Sequence, residues 1–419
     1  MRPSAAILSV GNEVLRGMAV NSNAAFLGRE LSDLGFDVTT NTTCPDTEEA
    51  IKFHLGDLFR RTDVVILSGG LGPTPDDVTR EGIASYFNVP LIFSKAQFSR
   101  FRRIYKRFKM PVPLLVRREA CYPANAKPLV NRFGIAVGFV IEEKGKLVIA
   151  LPGVPSELIN MYGDVVRPLL KKHYPRVESV NQLIVKMAGI SEPDVMKKLR
   201  KDFFADRFVF GIYPTAGEIA IRVQADSRKV LKKIKQKISK RLQNFIYAWD
   251  DLPLARVVGQ LLEEREETLA VAESCTGGLL SSEISRYAGT SHFFKGGAVA
   301  YHQEVKTQLG VDPRILRRHG EVSPEVAKAL ATAARSRMNS TYGIGITGIA
   351  GPQGGSPKKP VGLVFIAWAG PGRRPKVWRH HFWGDRRQIQ RKATVKALEY
   401  LWRKIREQGP FSARKQVAG

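Results

Sequence analysis

Residues 63–77, DVVILSGGLGPTPDD, join an apolar run directly to a glycine-rich turn, and a helical pattern follows over 79–87. An aliphatic run bounded by glycines predicts a buried strand. A strand that enters a helix through a tight turn is the unit of doubly wound α/β proteins, whose sites lie beyond the carboxyl ends of the strands. The stretch therefore predicts an α/β fold with a candidate site at the turn.

The same strand–turn–helix unit recurs twice later in the chain. It is seen in KLVIALPGVPSEL at 146–158 and in LAVAESCTGGLL at 269–280. In the first of these, Ser156 is predicted to cap the next helix, because a serine hydroxyl accepts hydrogen bonds from free helix N–H groups. Both large parts of the chain are thus predicted to be α/β.

A segment of different character separates the two large parts. Residues 175–250 show the order strand, helix, hairpin, helix, which predicts a small α+β module, and Asp250, Asp251 and Pro253 read as a linker. We therefore expect three domains, over 1–172, 175–250 and 254–410.

Composition sets the class of protein. A chain of 419 residues exceeds one ordinary core, and 43 % hydrophobic with 25 % charged residues is typical of a soluble globular protein. Three cysteines without metal-finger spacing favour a reducing cytoplasm, and no apolar run approaches the roughly 18 residues of a membrane span. The net charge of +27 would attract nucleic acid, anionic membranes or phosphorylated small molecules.

The basic residues are spread over three helical patterns rather than one stripe. These cover 98–109, 227–241 and 386–406. In the second, the apolar residues repeat at helical spacing, so the lysines lie on the opposite, solvated face. Residues 175–250 also lack the GxxG loop that RNA-binding KH modules use. The distribution argues against a nucleic-acid partner.

The turn after 63–68 is the first candidate site. Gly69, Gly70 and Gly72 free backbone N–H groups before a helix, an arrangement that binds anions. Asp76 and Asp77 would repel a bare phosphate, but a divalent cation could bind to both the aspartates and the phosphate and bridge them. Alternatively, the glycines only shape the turn and the aspartates cap the helix. Both interpretations stay open, while this turn matches neither the Walker nor the GxGxxG pattern.

The turn at 273–278 offers three candidate nucleophiles, Ser274, Cys275 and Thr276. A hydroxyl at a helix N-terminus could attack, and the helix amides could hold an oxyanion. No histidine is an obvious base, so a lysine kept neutral by burial is an option. Lys306 follows a predicted strand with Tyr301, although a plain surface lysine is the alternative. The residues alone do not choose among the nucleophiles.

The loop in ITGIAGPQGGSPKKPVG, 346–362, is the last candidate site. Glycines and two lysines between predicted strands suit an anionic substrate group such as phosphate, although a solvated hairpin loop explains them equally well.

At these stretches the sequence resembles the CinA family. The matching motifs are VGNEVLRG, NSNAAFLGREL, SGGLGPTPDDVTRE and LPGVPSEL in the first part, and AESCTGG, GGAVAY, GEVSPEVA and TGIAGPQGG with KPVG in the last. The resemblance implies a molybdopterin-binding-like three-layer first domain, a small α+β KH-type middle domain and a three-layer α/β amidohydrolase domain. It also implies a homodimer.

The resemblance implies that the last domain hydrolyses nicotinamide mononucleotide to nicotinate mononucleotide and ammonia without a cofactor, in pyridine nucleotide (NAD) salvage. Ser274 then becomes the nucleophile, with Lys306 and Tyr301 as its partners. The implied substrate-binding residues are Thr276, Gly277, Gly278, Thr347, Gly348 and Gly351.

For the first domain the resemblance implies a metal-dependent ADP-ribose pyrophosphatase. A divalent metal would be bound at Asp77, with Glu13, Asp76 and the turn of Gly69, Gly70 and Gly72 beside it. Two departures count against that activity: Asn12 stands where the family often has Asp, and Ile135 where Thr is usual.

Overall fold

The computed structural model describes residues 2–113, 115–177, 180–200, 203–204, 208–225 and 227–407. Parts of the predicted domains 175–250 and 254–410 thus lie outside the described residues, among them 408–410. The chain forms two compact units, Met1–Val180 and Asn181–Gly419.

The first unit alternates strands and helices. Its elements are β1 Ser4–Val10, α1 Asn12–Leu15, α2 Ser22–Leu34, β2 Asp37–Cys44, α3 Glu48–Arg61, β3 Val64–Ser68, α4 Thr79–Phe87, β4 Leu91–Phe93, α5 Lys95–Arg107, α6 Val116–Glu119, β5 Cys121–Pro123, β6 Lys127–Leu129, β7 Gly138–Glu143, β8 Lys146–Leu151, α7 Pro155–Met161 and α8 Arg167–His173. A short π-helical turn, Tyr162–Val166, joins the last two helices.

The main sheet of this unit has the order β2-β1-β3-β8-β7-β6, in which the first four strands are parallel, β7 is antiparallel to β8, and β6 is antiparallel to β7. Strand β1 is buried on both faces. Ala5 and Ile7 pack towards α2, whereas Ala6 and Leu8 pack towards α3. Because successive side chains of a strand point to opposite faces, helices must cover both sides, and the predicted three-layer α/β fold is confirmed.

The predicted cap at Ser156 is wrong. Helix α7 begins at Pro155, directly after Val154, and has no side-chain cap. Proline suits the first helical position, since its fixed φ fits the helix and it has no N–H to satisfy. Ser156 therefore lies inside the first turn, where it cannot act as the cap.

The second unit begins with a four-stranded antiparallel sheet of order β10-β11-β9-β12. Its elements are β9 Gln182–Ala188, α9 Glu192–Leu199, β10 Val209–Pro214, β11 Glu218–Gln224, α10 Arg228–Leu242 and β12 Ile246–Ala248. The apolar residues of α9 and α10 pack on one face of this sheet, so the α+β character predicted for this segment is observed.

A second α/β sheet follows, of order β14-β13-β15-β16-β17. Its elements are α11 Leu254–Glu264, β13 Leu269–Glu273, α12 Leu279–Ser285, β14 Phe294–Val299, α13 Gln303–Leu309, α14 Pro313–His319, α15 Pro324–Arg337, β15 Tyr342–Gly348, β16 Leu363–Ala369, β17 Lys376–His381 and α16 Arg386–Arg406. Strands β14, β13 and β15 are parallel, β16 is antiparallel to β15, and β17 is antiparallel to β16. Alternate residues of β13 pack against α11 and α16 on one face and α15 on the other.

None of the described helices combines the length and apolar character needed to cross a lipid bilayer.

Candidate active site

Ser274 is the first residue beyond strand β13. Its backbone N–H donates to the Ile346 carbonyl of β15 at 2.9 Å, and its side chain is largely buried. Glu273, the last residue of β13, pairs with Val299 of β14 and Ile346 of β15. Since parallel strands end at the same edge of a sheet, the residues that follow these three strands lie side by side. Within the described residues, the Ser274 Oγ has no hydrogen-bond partner in the protein.

The turn after Ser274 is held by Glu273. The carboxylate of Glu273 accepts hydrogen bonds from the backbone N–H of Leu280 at 3.0 Å and of Ser281 at 2.8 Å, and from the Ser281 hydroxyl at 2.7 Å. These contacts satisfy free N–H groups at the start of α12. Glu273 is fully buried, so its role is to fix the turn rather than to react.

Gly277 and Gly278 adopt φ of +63° and +98°. A side chain is strained in this left-handed region, which explains two consecutive glycines here. The Gly277 N–H donates to the Ser274 carbonyl at 3.0 Å and closes the turn. The Gly277 N–H is therefore already hydrogen-bonded and is not free to bind an oxyanion.

Lys306 is buried, with 1 % of its side chain exposed. From α13 its Nζ donates to the Tyr301 carbonyl at 2.8 Å and to Glu321 Oε2 at 2.6 Å. The surface-lysine alternative is therefore wrong. This arrangement suits an ammonium group, because both partners are acceptors and one is a carboxylate. A proton must leave Lys306 before the amine can act as a base.

Tyr301 contributes two separate groups. Its carbonyl binds Lys306, while its hydroxyl accepts a hydrogen bond from Arg386 Nη2 at 2.6 Å. Arg386 also donates to the Gly351 carbonyl at 2.7 Å. Arg386 therefore connects the tyrosine after β14 with the glycine loop after β15.

Thr347 and Gly348 end strand β15, next to the Ile346 carbonyl that binds Ser274. The Thr347 hydroxyl is buried and donates to the Glu321 carbonyl at 2.8 Å. Its oxygen retains lone pairs that can still accept a hydrogen bond.

Cys275 is a poor nucleophile in this position. Burial raises the pKa of its thiol to about 12, and the charges of Lys306 and Arg386 offset only part of that rise. Since the thiolate is the reactive form, the thiol is inert near neutral pH. The Cys275 carbonyl accepts from Gln390 at 2.9 Å, so the residue helps anchor the turn to α16.

The hydroxyl of Thr276 is buried without a hydrogen-bond partner among the described residues. A buried polar group normally finds a partner, and leaving it without one costs free energy. Such a group beside the predicted nucleophile is suited to bind a polar atom of a ligand.

Sequence reasoning missed three residues here: Glu321, Arg386 and Gln390. Each approaches the turns from a helix or loop distant in the chain. Glu321 lies in the GEVSPEVA motif, but no local pattern signals that it reaches Lys306.

The first unit has its own candidate site, a cleft of about 300 Å³ beyond the carboxyl ends of β1, β3 and β8. It is lined by every residue predicted for this site, namely Glu13, Gly69, Gly70, Gly72, Asp76 and Asp77. Asp46 adds a further carboxylate, and burial together with the other carboxylates raises its pKa.

Asp77 is engaged with its own turn. Its Oδ2 accepts from the Thr74 N–H at 2.9 Å and the Thr74 hydroxyl at 2.5 Å, and α4 has no side-chain cap. Within the described residues no three His, Cys, Asp or Glu side chains are placed to hold a metal ion. The carboxylates present therefore do not form a preorganised metal site, and the metal at Asp77 stays a prediction.

The two departures from the family pattern, Asn12 and Ile135, lie in different surroundings. The backbone N–H of Asn12 donates to Asp46 at 2.7 Å, at the edge of the cleft. Ile135 instead packs against the apolar cluster around Phe101. Only Asn12 is thus bonded to a cleft carboxylate.

Residues 251–405 match the family described as CinA C-terminal domain, and residues 6–172 match that described as probable molybdopterin binding domain. A putative competence-damage inducible protein of Moorella thermoacetica is 38 % identical over 405 residues, 95 % of this chain and 98 % of that protein. A protein of the same name from Caldanaerobacter subterraneus is 37 % identical over 409 residues, which are 95 % of this chain and 97 % of that protein. A solved structure, the protein CinA with unknown function from Thermoplasma acidophilum, is 32 % identical and covers 40 % of this chain and 98 % of its own, with a TM-score of 0.38. The two full-length relatives thus extend over nearly all of this chain.

Proposed function

Since this chain belongs to the CinA family, we propose that its C-terminal domain hydrolyses the carboxamide of nicotinamide mononucleotide to nicotinate mononucleotide and ammonia. One observation carries the proposal: Ser274 and the Tyr301–Lys306 pair follow neighbouring parallel strands, and Lys306 is buried there. A serine and a buried lysine at one sheet edge are the groups that acyl-enzyme chemistry on an amide needs. The reaction would serve pyridine nucleotide salvage.

In the proposed mechanism Lys306, once neutral, takes the proton of Ser274 as the serine oxygen attacks the carboxamide carbon. Backbone N–H groups at Cys275 and Thr276 would hold the oxyanion, because that of Gly277 already closes the turn. The proton on Lys306 then passes to the leaving nitrogen through the Tyr301 hydroxyl, which Arg386 holds in place, so that ammonia leaves and the Lys306 amine is neutral again. Lys306 next takes a proton from water as the water attacks the acyl-serine, and that proton returns to the Ser274 oxygen as nicotinate mononucleotide is released.

Ammonia and AMP formation separate this proposal from its main alternative. The protein is incubated with nicotinamide mononucleotide and with ADP-ribose, each with and without a chelator. Ammonia release that survives chelation supports the amidohydrolase, because no step above uses a metal. If no ammonia forms under any condition, the proposal is wrong, and a salt-dependent nucleic-acid titration would test the remaining binding hypothesis.

The alternative is a metal-dependent ADP-ribose pyrophosphatase in the first unit. It is favoured by the cleft that gathers glycine N–H groups and the carboxylates of Glu13, Asp46, Asp76 and Asp77. A divalent ion carried with the pyrophosphate would supply charge neutralisation there, and the carboxylates would hold it.

Asp77→Asn tests the alternative separately. If the first unit cleaves ADP-ribose, we expect this variant to lose AMP formation by roughly 10²-fold or more, because a carboxylate at the ion is lost. Ammonia release from nicotinamide mononucleotide should be unchanged. Glu49→Gln on α3, which does not line the cleft, is the control for a change of one surface charge. AMP formation at the wild-type rate in Asp77→Asn would exclude Asp77 from the reaction.

Thr276→Val tests the unpartnered hydroxyl. We expect the thermal stability to be equal or higher, because a buried hydroxyl without a partner is removed. We also expect KM for nicotinamide mononucleotide to rise roughly tenfold, because the loss of one hydrogen bond to the substrate weakens binding by about that factor. Steady-state kinetics and a melting curve measure both. A lower melting temperature with unchanged KM would show that the hydroxyl serves the fold and not the substrate.

A further inference from the structure

Glu321 lies between α14 and α15 and has no role in the mechanism above. Its carboxylate accepts from Lys306 Nζ at 2.6 Å, and its carbonyl accepts from the Thr347 hydroxyl at 2.8 Å. It thus contacts both the predicted base and a predicted substrate-binding residue. Its side chain is 44 % exposed, whereas that of Lys306 is 1 % exposed, so Glu321 joins the buried amine to solvent.

The number of acceptors around Lys306 matters for its chemistry. The structure supplies two, the Tyr301 carbonyl and the Glu321 carboxylate. A neutral amine has two N–H bonds and one lone pair, so two acceptors occupy both N–H bonds and leave only the lone pair. A base whose lone pair has one fixed direction is preorganised to take a proton.

We propose that Glu321 is a positioning residue, which together with the Tyr301 carbonyl orients the neutral Lys306 amine so that its lone pair receives the Ser274 proton. The inference rests on the proposed function and adds a residue to it. Glu321 acts through Lys306, and its contact to Thr347 fixes the backbone that carries the carboxylate.

The proton balance follows from the same contacts. The Lys306 ammonium releases one proton to water, which leaves a neutral amine. The Glu321 carboxylate stays ionised and keeps its hydrogen bond from that amine. When the Ser274 oxygen bonds to the carboxamide carbon, its proton moves to the lone pair of Lys306. No oxidant, reductant or metal is required.

The test compares two substitutions of Glu321 in the full chain with nicotinamide mononucleotide as substrate. Glu321→Ala removes the acceptor, and we expect kcat to fall about 10²-fold with KM close to wild type, since a misplaced reacting group costs about that much. Glu321→Gln keeps an acceptor oxygen, and most of kcat should return. Because Gln lacks the charge that favours the ammonium, the rise of kcat with pH should move to lower pH.

Other charged groups around the pair could also influence a pH profile. These are Glu304 on α13, His319 with its partner Glu325, Lys359 near Gly320, and Arg386. Glu325→Gln is therefore the matched control, because it neutralises a nearby carboxylate that does not contact Lys306. We expect its kcat and pH profile to match wild type.

Two results would overturn the inference while the wild-type chain still releases ammonia. One is a Glu321→Ala variant with wild-type kcat and pH profile. The other is a Glu321→Gln variant as impaired as Glu321→Ala, because the acceptor would then not matter. Circular dichroism of each variant separates misfolding from these outcomes. A wild-type chain that releases no ammonia would instead refute the proposed function.

Discussion

Ser274→Ala is expected to abolish ammonia release from nicotinamide mononucleotide, with kcat lower by about 10⁴-fold or more. Removal of the nucleophile from a serine hydrolase leaves only the catalysis that binding and oxyanion stabilisation provide. The fold should be unaffected, because the Ser274 Oγ bonds to no other group in the described residues and the neighbouring Glu273 holds the turn. Ammonia measured with a coupled assay, and a melting curve, test both expectations.

Cys275→Ala is the matched control for that result, since it changes the next residue of the same turn. The raised pKa of the buried thiol predicts that this variant keeps its ammonia release within a few-fold of wild type. The opposite pattern, an active Ser274→Ala and an inactive Cys275→Ala, would transfer the nucleophile to the cysteine.

Lys306→Met should lower kcat nearly as much as Ser274→Ala does. We expect a loss of roughly 10²- to 10⁴-fold, because a positioned general base contributes about that much to the rate. We expect no large loss of stability. Methionine fills a similar volume with an apolar chain, and removal of one partner of an ion pair is costly only when the other charge is left buried. The Glu321 carboxylate that loses its partner is partly exposed to water. Activity and the free energy of unfolding are thus expected to change independently.

Lys295→Met provides the comparison for Lys306→Met, because Lys295 lies exposed on the adjacent strand β14. We expect wild-type kcat from it. If Lys306→Met retained wild-type kcat in a folded protein, then Lys306 would not be the base. If it unfolded while Lys295→Met did not, the role of the lysine would be structural.

The sequence predicts the strands and turns well because their signals are local. The apolar runs that end at Ser68 and Glu273 form strands at their predicted places, and the glycine pairs 69–70 and 277–278 that follow adopt positive φ. Each of these features depends on neighbouring residues only. The α/β class follows from the order of such units.

The contacts that assemble the site could not be predicted in the same way. Glu321 reaches Lys306, and Arg386 reaches Tyr301, across segments that no periodic pattern relates. Local signals also misled in two cases. Ser156 resembles a cap but lies inside its helix after Pro155, and the Asp77 carboxylate binds Thr74 rather than the helix that follows.

The choice among Ser274, Cys275 and Thr276 shows what burial adds to the sequence. The motif alone leaves three candidates on one turn. In the structure the thiol is buried with a raised pKa, and the Thr276 hydroxyl is buried without a partner. Burial thus argues against the thiol, while the Ser274 hydroxyl is also buried without a partner among the described residues, so the choice between the two hydroxyls rests on the resemblance.

Partitioning of the reaction between water and hydroxylamine tests the acyl-enzyme on Ser274 most directly. The wild-type chain is incubated with nicotinamide mononucleotide, chelator and increasing hydroxylamine, with enzyme-free and Ser274→Ala samples alongside. An acyl-serine intermediate predicts that the hydroxamate of nicotinate mononucleotide replaces the acid as hydroxylamine increases, with neither product formed by Ser274→Ala. Ammonia release from wild type that yields only the acid at every hydroxylamine concentration would contradict it.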